Sequence, residues 1–207
     1  MTSLRAPVRL LLTGFGPFPG VADNASAALV TQLADLAGNL SGVRVASQIL
    51  AVDWEAAPRE AAALIAAESP DIILHFGVTR SATGLIIETM AHNRCGDFKD
   101  ARGVAPASSR LCTEAADTLP STFPAQEIVL RLREKNLPVQ LSEDAGAYLC
   151  NAVLYTTLQT CTGTQVQAGF IHLPVDLSGS DGGLSMSDAV DGALEIVRTC
   201  IEALQSR

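Results

Sequence analysis

Cys150, His172 and Glu88 have the side-chain types that nucleophilic catalysis requires: a thiol, an imidazole to move its proton, and a carboxylate to orient the imidazole. Cys150 closes a glycine-bearing turn, Ser142-Glu143-Asp144-Ala145-Gly146-Ala147-Tyr148-Leu149-Cys150-Asn151, and the residues after it are spaced as a helix over Asn151–Gln159. A helix N-terminus favours negative charge, and the thiolate is the nucleophilic form of cysteine. His172 ends an apolar run that starts at Val166, and Glu88 lies inside another, Leu85–Asn93. Open α/β sheets gather functional groups at strand ends, where these three would meet. Each also has a structural reading. Free cysteine is among the most buried residue types, which by itself favours packing for Cys150. His172 fits a hydrogen-bonded structural histidine equally well, and Glu88 an ion pair with Arg80 or Arg102.

Other chemistries find less support. Gly14-Phe15-Gly16 follows a strand, but no third glycine follows at the dinucleotide spacing and no Walker lysine is present. The three histidines, His75, His92 and His172, are scattered without metal-ligand spacing, so no metal and no cofactor are expected. The net charge of −8, without a lysine/arginine cluster, argues against nucleic acid and against an anionic membrane surface. No stretch reaches the roughly 18 apolar residues of a membrane span. The apolar run after the N-terminal arginines is short and meets Gly14 and Pro17 rather than a cleavage site, so no signal peptide is expected. Five widely spaced cysteines without a Cys-x-x-Cys pair predict a reducing, cytoplasmic setting.

The elements that must position the three residues alternate in type. Strands are predicted over Val8–Thr13, Val43–Val52, Asp71–Phe76, Leu85–Asn93, Val139–Leu141 and Val166–His172, the last broken by Pro174. Helices are predicted after a cap at Asn24 or Ser26 and ending at Gly38, over Trp54–Ala67, over Gln126–Lys135, and from a cap at Ser187 to about Leu204. Alternation of this kind implies crossover units and a largely parallel sheet. With 207 residues, 48% hydrophobic and 17% charged, the chain is expected to form a single α/β domain, residues 1–207. Residues 94–124 lack periodicity and read as an active-site cover. Ser178–Gly183 reads as a glycine- and serine-rich loop.

Taken together, these residues resemble the pyroglutamyl peptidase I family, the pyrrolidone-carboxylate cysteine peptidases. The resemblance runs in order through Thr13-Gly14-Phe15-Gly16-Pro17-Phe18, Glu88-Thr-Met-Ala-His-Asn93, the cysteine segment Leu137–Asn151 and Gly169-Phe-Ile-His-Leu-Pro174. It implies a three-layer α/β/α sandwich with a twisted, mostly parallel (mixed) sheet, phosphorylase/hydrolase-like, usually in homo-oligomers (dimer or tetramer) and without cofactor. It implies removal of an N-terminal pyroglutamyl residue from small peptides, with Cys150 as nucleophile, His172 as base and acid, and Glu88 orienting the histidine. Phe15, Phe18, Tyr148, Leu149, Val78 and Asn24 stand at positions like those of the substrate pocket, and Arg102, in Asp100-Ala101-Arg102, resembles an arginine that assists the oxyanion.

The chain departs from that pattern around Glu88. Ile86 stands where the family has serine or threonine, Thr89 where it has a basic residue, and Val78-Thr79-Arg80-Ser81 where it has a glycine-rich stretch. A few extra residues also precede Asp100. Two other readings remain beside the peptidase: a related cysteine amidohydrolase acting on another small amide or lactam, and a non-catalytic member that binds a ligand in the same pocket.

Overall fold

The computed structural model describes residues 6–180 and 183–206. The beginning of the N-terminal segment, with Arg5, and positions 181 and 182 of the glycine- and serine-rich loop lie outside the described residues. Among the described residues, eight strands and five helices follow one another as β1 (Val8–Phe15), α1 (Ala25–Gly38), β2 (Val43–Leu50), α2 (Ala56–Glu68), β3 (Ile72–Thr79), β4 (Leu85–Glu88), β5 (Met90–His92), β6 (Thr118–Pro120), α3 (Ala125–Glu134), β7 (Val139–Ser142), α4 (Leu149–Thr160), β8 (Gln167–Pro174) and α5 (Met186–Gln205). Six strands form one sheet in the order β2-β1-β3-β8-β4-β7. β2, β1, β3 and β8 are parallel, whereas β4 runs antiparallel to β8 and carries β7 parallel to itself. The sheet is therefore mixed and mostly parallel, as expected. No helix among the described residues is long and apolar enough to cross a membrane.

Strand side chains alternate between faces, and the two faces build two cores. Leu10, Leu12, Ile72, Leu74, Phe76, Leu85, Ile87, Ile171 and Leu173 pack with α1, α3 and α5. Leu11, Phe15, Ile73, Ala168 and Phe170 pack on the other face with α2 and α4. The result is a helix–sheet–helix sandwich. The inner strands are apolar runs because both of their faces are covered; every residue of β8 is buried.

Several boundaries differ from the sequence reading. Leu85–Asn93 is two strands, with β4 in the main sheet and β5 paired antiparallel with β6 in a two-stranded ribbon. The chain leaves the sheet at Thr89, whose N–H still bonds the Ser142 carbonyl at 2.7 Å. β6 lies inside the 94–124 stretch that read as wholly irregular. β2 stops at Leu50, and α2 starts at Ala56 because Asp53 Oδ1 accepts the N–H groups of Glu55 (2.9 Å) and Ala56 (2.8 Å). β8 runs through Pro174 rather than breaking before it. The cap of α5 is Ser185, not Ser187: Ser185 Oγ accepts the Asp188 N–H at 3.1 Å.

Candidate active site

Register places the three chemistry residues before any side-chain detail is considered. Across the sheet, Gly77 of β3 lies beside His172 of β8, which lies beside Ile86 of β4. Glu88 pairs with Phe170, two residues back along β8, so it approaches His172 diagonally on the face covered by α4. His172 Nδ1 and Glu88 Oε1 are 2.7 Å apart. The carboxylate thus accepts the Nδ1 proton, leaving Nε2 as the working nitrogen.

Cys150 comes from the helix layer, as the second residue of α4 and half-buried. Tyr148 caps that helix in an extended conformation and makes no capping bond with its side chain. The first N–H groups of a helix have no intrahelical partner, and Cys150 sits in that first turn. A Cβ built on Gly77 would stand 3.0 Å from Cys150 Sγ and 2.7 Å from the Phe170 ring. Glycine at that position lets the sulfur settle against β3, directly beside His172. Burial works against a charge on His172, yet the Cys150 charge and hydrogen bond, with Glu88, outweigh it and raise the imidazole to about 10. The arrangement favours the imidazolium form of His172.

The turn before Cys150 is tied down from β5 and the residues after it. Gly146 adopts φ +85°, which favours glycine, and its N–H bonds Asp144 Oδ1 at 3.0 Å. Arg94 clamps both oxygens of Asp144 at 2.6 and 2.7 Å, and the Gly96 N–H bonds the Ala147 carbonyl at 2.7 Å. Asn151, fully buried, donates to the carbonyls of His92 (2.7 Å) and Arg94 (3.1 Å) and accepts the His92 N–H (2.8 Å).

Cys150, His172 and Glu88 open onto a cavity of about 790 Å³ whose walls include Phe18, Val78, Arg80, Ile86, Phe98, Lys99 and Tyr148. Of the residues expected at the substrate, Phe18, Val78 and Tyr148 line it. The other four are placed elsewhere. Phe15 is buried in the core against Phe170, with ring centroids 6.3 Å apart. The side chain of Leu149 is buried in the same core. Asn24 caps α1, accepting from Ser26 N–H at 3.1 Å and donating to the Gly16 carbonyl at 2.9 Å. Arg102 is bound to Asp53 Oδ2 at 2.6 Å, so its guanidinium is held by a carboxylate away from the cavity lining.

The 94–124 segment supplies Phe98 and Lys99 to the cavity wall. Tyr148 is stacked edge-on against Trp54 (5.3 Å) and Phe98 (6.2 Å), and its hydroxyl donates to the Lys99 carbonyl at 3.2 Å. Trp54 Nε1 in turn donates to the Phe98 carbonyl at 2.8 Å. Sequence reading did not single out Phe98, Lys99, Gly77 or Asn151 as site residues. Gly77 carried the one available signal, a glycine at the end of an apolar strand.

Comparison with known proteins gives one consistent result. A model of the pyroglutamyl peptidase family matches residues 8–206. A pyrrolidone-carboxylate peptidase of Thermococcus onnurineus is 31% identical over 170 residues, covering 81% of this chain and 84% of its own. One from Escherichia fergusonii is 32% identical over 192 residues, covering 90% and 89%. Among solved structures, a mutant pyrrolidone carboxyl peptidase from Pyrococcus furiosus superposes with a TM-score of 0.86 at 25% identity, covering 95% of this chain and all of that one. The pyroglutamyl peptidase I of Bacillus amyloliquefaciens shares the fold, with a TM-score of 0.84 at 22% identity.

Proposed function

The chain belongs to the pyroglutamyl peptidase family, and on that footing we infer that it is a cysteine peptidase that releases an N-terminal pyroglutamyl residue from peptides, using Cys150, His172 and Glu88. The observation that carries the assignment of roles is the contact of His172 with Glu88 on one side and Cys150 on the other, on one face of the sheet.

The Cys150 thiolate attacks the carbonyl carbon joining the lactam to the next residue, forming a C–S bond and a tetrahedral oxyanion. N–H groups of the first turn of α4 face that oxyanion; one such donor is typically worth roughly 3 kcal/mol. Collapse breaks the C–N bond while His172 gives its proton to the departing nitrogen. Water then attacks the thioester, His172 takes up its proton, the C–S bond breaks, and pyroglutamate leaves as the thiolate is restored. Glu88 holds the imidazole in the tautomer that both steps need. Phe18, Val78 and Tyr148 offer the apolar walls that suit a flat, neutral ring.

The whole chain, residues 1–207, acting as one domain in a homo-oligomer of two or four copies within the cytoplasm completes this reading; five free thiols support a reducing compartment. The test is turnover of a chromogenic pyroglutamyl amide by wild type and by Cys150→Ala, together with alkylation mapping of the cysteines. Turnover that the substitution abolishes, with Cys150 alkylated far faster than Cys95, Cys161 and Cys200, whose thiols burial pushes up, is the expected result. Fast alkylation without turnover would overturn the substrate and point to another amide; neither signal would overturn catalysis and leave ligand binding.

A further inference from the structure

The cavity has more room than the pyroglutamyl ring requires. Sites of roughly 300–1,000 Å³ hold whole drug-sized ligands, and this one measures about 790 Å³, whereas the ring is a single five-membered lactam. The surplus belongs to whatever follows the scissile bond.

The charges on the cavity wall are unevenly used. Of the carboxylates lining it, Glu88 is engaged by His172 and Asp144 is clamped by Arg94. The cations Arg80 and Lys99 line it too, and neither forms an ion pair among the described residues. Among the described residues the Arg80 guanidinium donates to the Gly20 carbonyl at 3.3 Å, which fixes its direction without neutralising it. Lys99 stands beside Tyr148, whose hydroxyl holds its carbonyl. Arg80 directly follows β3 and Lys99 is tied through its carbonyl to Tyr148, so the two cations reach the cavity that holds Cys150 from separate segments of the chain. Phe98, an aromatic ring 57% exposed, lines the same cavity and directly precedes Lys99. In a chain of net charge −8, two cations without an ion pair in the lining of the cavity that holds Cys150, together with an exposed ring, are a local reversal of sign. Such a reversal selects anionic ligands and speeds their arrival.

We propose that the leaving-group side of this cavity recognises a carboxylate on the residue after the scissile bond, with Arg80 and Lys99 as the specificity-determining side chains and Phe98 as the apolar wall beside them. The carboxylate has two sources: the free C-terminus of a pyroglutamyl dipeptide, or an acidic side chain in that position of a longer peptide. The ring is neutral, so all charge discrimination comes from the departing portion. This rests on the pyroglutamyl peptidase reading above.

The test compares kcat/KM within each protein for matched pairs: pyroglutamyl-alanine against its amide, and pyroglutamyl-glutamate amide against pyroglutamyl-glutamine amide. A neutral pyroglutamyl anilide reports separately on the peptidase reading itself. The expected result is a preference of about two- to fivefold per cation for the carboxylate partner of each pair, the range of exposed ion pairs. It shrinks in Arg80→Gln and Lys99→Gln, reverses in Lys99→Glu, and fades in 0.5 M salt, where screening shortens the reach of exposed charges. A preference confined to the first pair assigns the site to a free C-terminus; one confined to the second assigns it to an acidic side chain. Turnover of the anilide with ratios near one in both pairs, or ratios that the three substitutions leave unmoved, overturns the proposal while sparing the peptidase reading. No turnover of the anilide or the peptides overturns both.

Discussion

Glu88 Oε1 lies 2.7 Å from His172 Nδ1, and the two side chains are only 2% and 7% exposed. Their partnership is buried, so little solvent screens it. Glu88→Gln keeps the shape and removes the charge that favours the imidazolium. The expected outcome is a kcat about 10²–10⁴-fold lower, the usual range for lost acid–base assistance, with KM changed far less. Steady-state kinetics on a pyroglutamyl amide reads this directly.

The pH dependence follows from His172. Its imidazole is held up to about 10, above the ordinary 6.5, by Cys150 and Glu88 acting against burial. The departing nitrogen needs the imidazole's proton, so acylation falls as pH rises through about 10. A folded-state value above the unfolded one stabilises the fold fully below about pH 6.5, and that contribution is lost as pH rises through about 10. NMR titration of the ring should find its transition high in wild type and lower in Cys150→Ala and in Glu88→Gln. A wild-type transition near 6.5 would refute the ion-pair account.

Gly77→Ala tests the packing of the sulfur against β3. The added carbon would meet Cys150 Sγ at 3.0 Å and the Phe170 ring at 2.7 Å. Overpacking of this kind costs about 1–3 kcal/mol, and a small displacement of a reacting group lowers kcat by about 10²-fold. Thermal melts and single-turnover rates measure the two effects separately. The prediction fails if both stay at wild-type values.

Asn151→Ala removes two hydrogen bonds that join α4 to His92 of β5 and a third to the Arg94 carbonyl just beyond it, and leaves the His92 N–H and the Arg94 carbonyl without these partners. Each orphaned group costs about 1–3 kcal/mol. Stability falls, and so does kcat, because the turn carrying Cys150 loses its anchor. Slower alkylation of Cys150 in protein that is still folded by circular dichroism separates positioning from simple unfolding.

His75 gives the opposite pH signature. It is fully buried between the hydroxyls of Thr13 (2.6 Å) and Thr157 (2.9 Å), and burial pushes it down to about 3. The unfolded chain gains a proton there below about 6.5 that the folded chain refuses, so stability falls as pH drops from about 6.5 towards 3. One residue of this kind contributes a slope of about 1.4 kcal/mol per pH unit. Urea midpoints against pH should show a shallower acid limb in His75→Gln.

How much of this was legible in the sequence depended on distance along the chain. Cys150, His172 and Glu88 stood out because each breaks the pattern of an apolar element or closes it, which is a local signal. The alternation that implied a mostly parallel sheet was local too. Whether a side chain faces the cavity or the core is decided by parity and helix phase, and there neighbours diverge. Phe18 and Tyr148 line the cavity while Phe15 and Leu149 fill the core. The break at Thr89 was hidden because buried Ile87 and Ala91 keep period two across it although they serve different sheets. Ser185 and Ser187 are equally good caps by type, and only the fold of the preceding loop chooses between them. Phe98 and Asn151 act through partners some fifty residues away, as in the Trp54 to Phe98 and Asn151 to His92 bonds, separated by 44 and 59 positions. No local pattern announces such contacts.

The place of β8 in the sheet has a consequence for synthesis. Among the described residues it is the last strand in chain order, yet it sits in the middle, between β3 and β4. Until residues 167–174 emerge, β3 and β4 each present an unpaired edge to the other across an open slot, and the slot is filled only when most of the chain is out. His172 arrives with that strand. On the proposed roles, a nascent chain that has released Cys150 but not His172 holds the thiol without its base. The same order of events leaves two apolar strand edges uncovered for most of translation, which makes the half-made chain a natural client for chaperones.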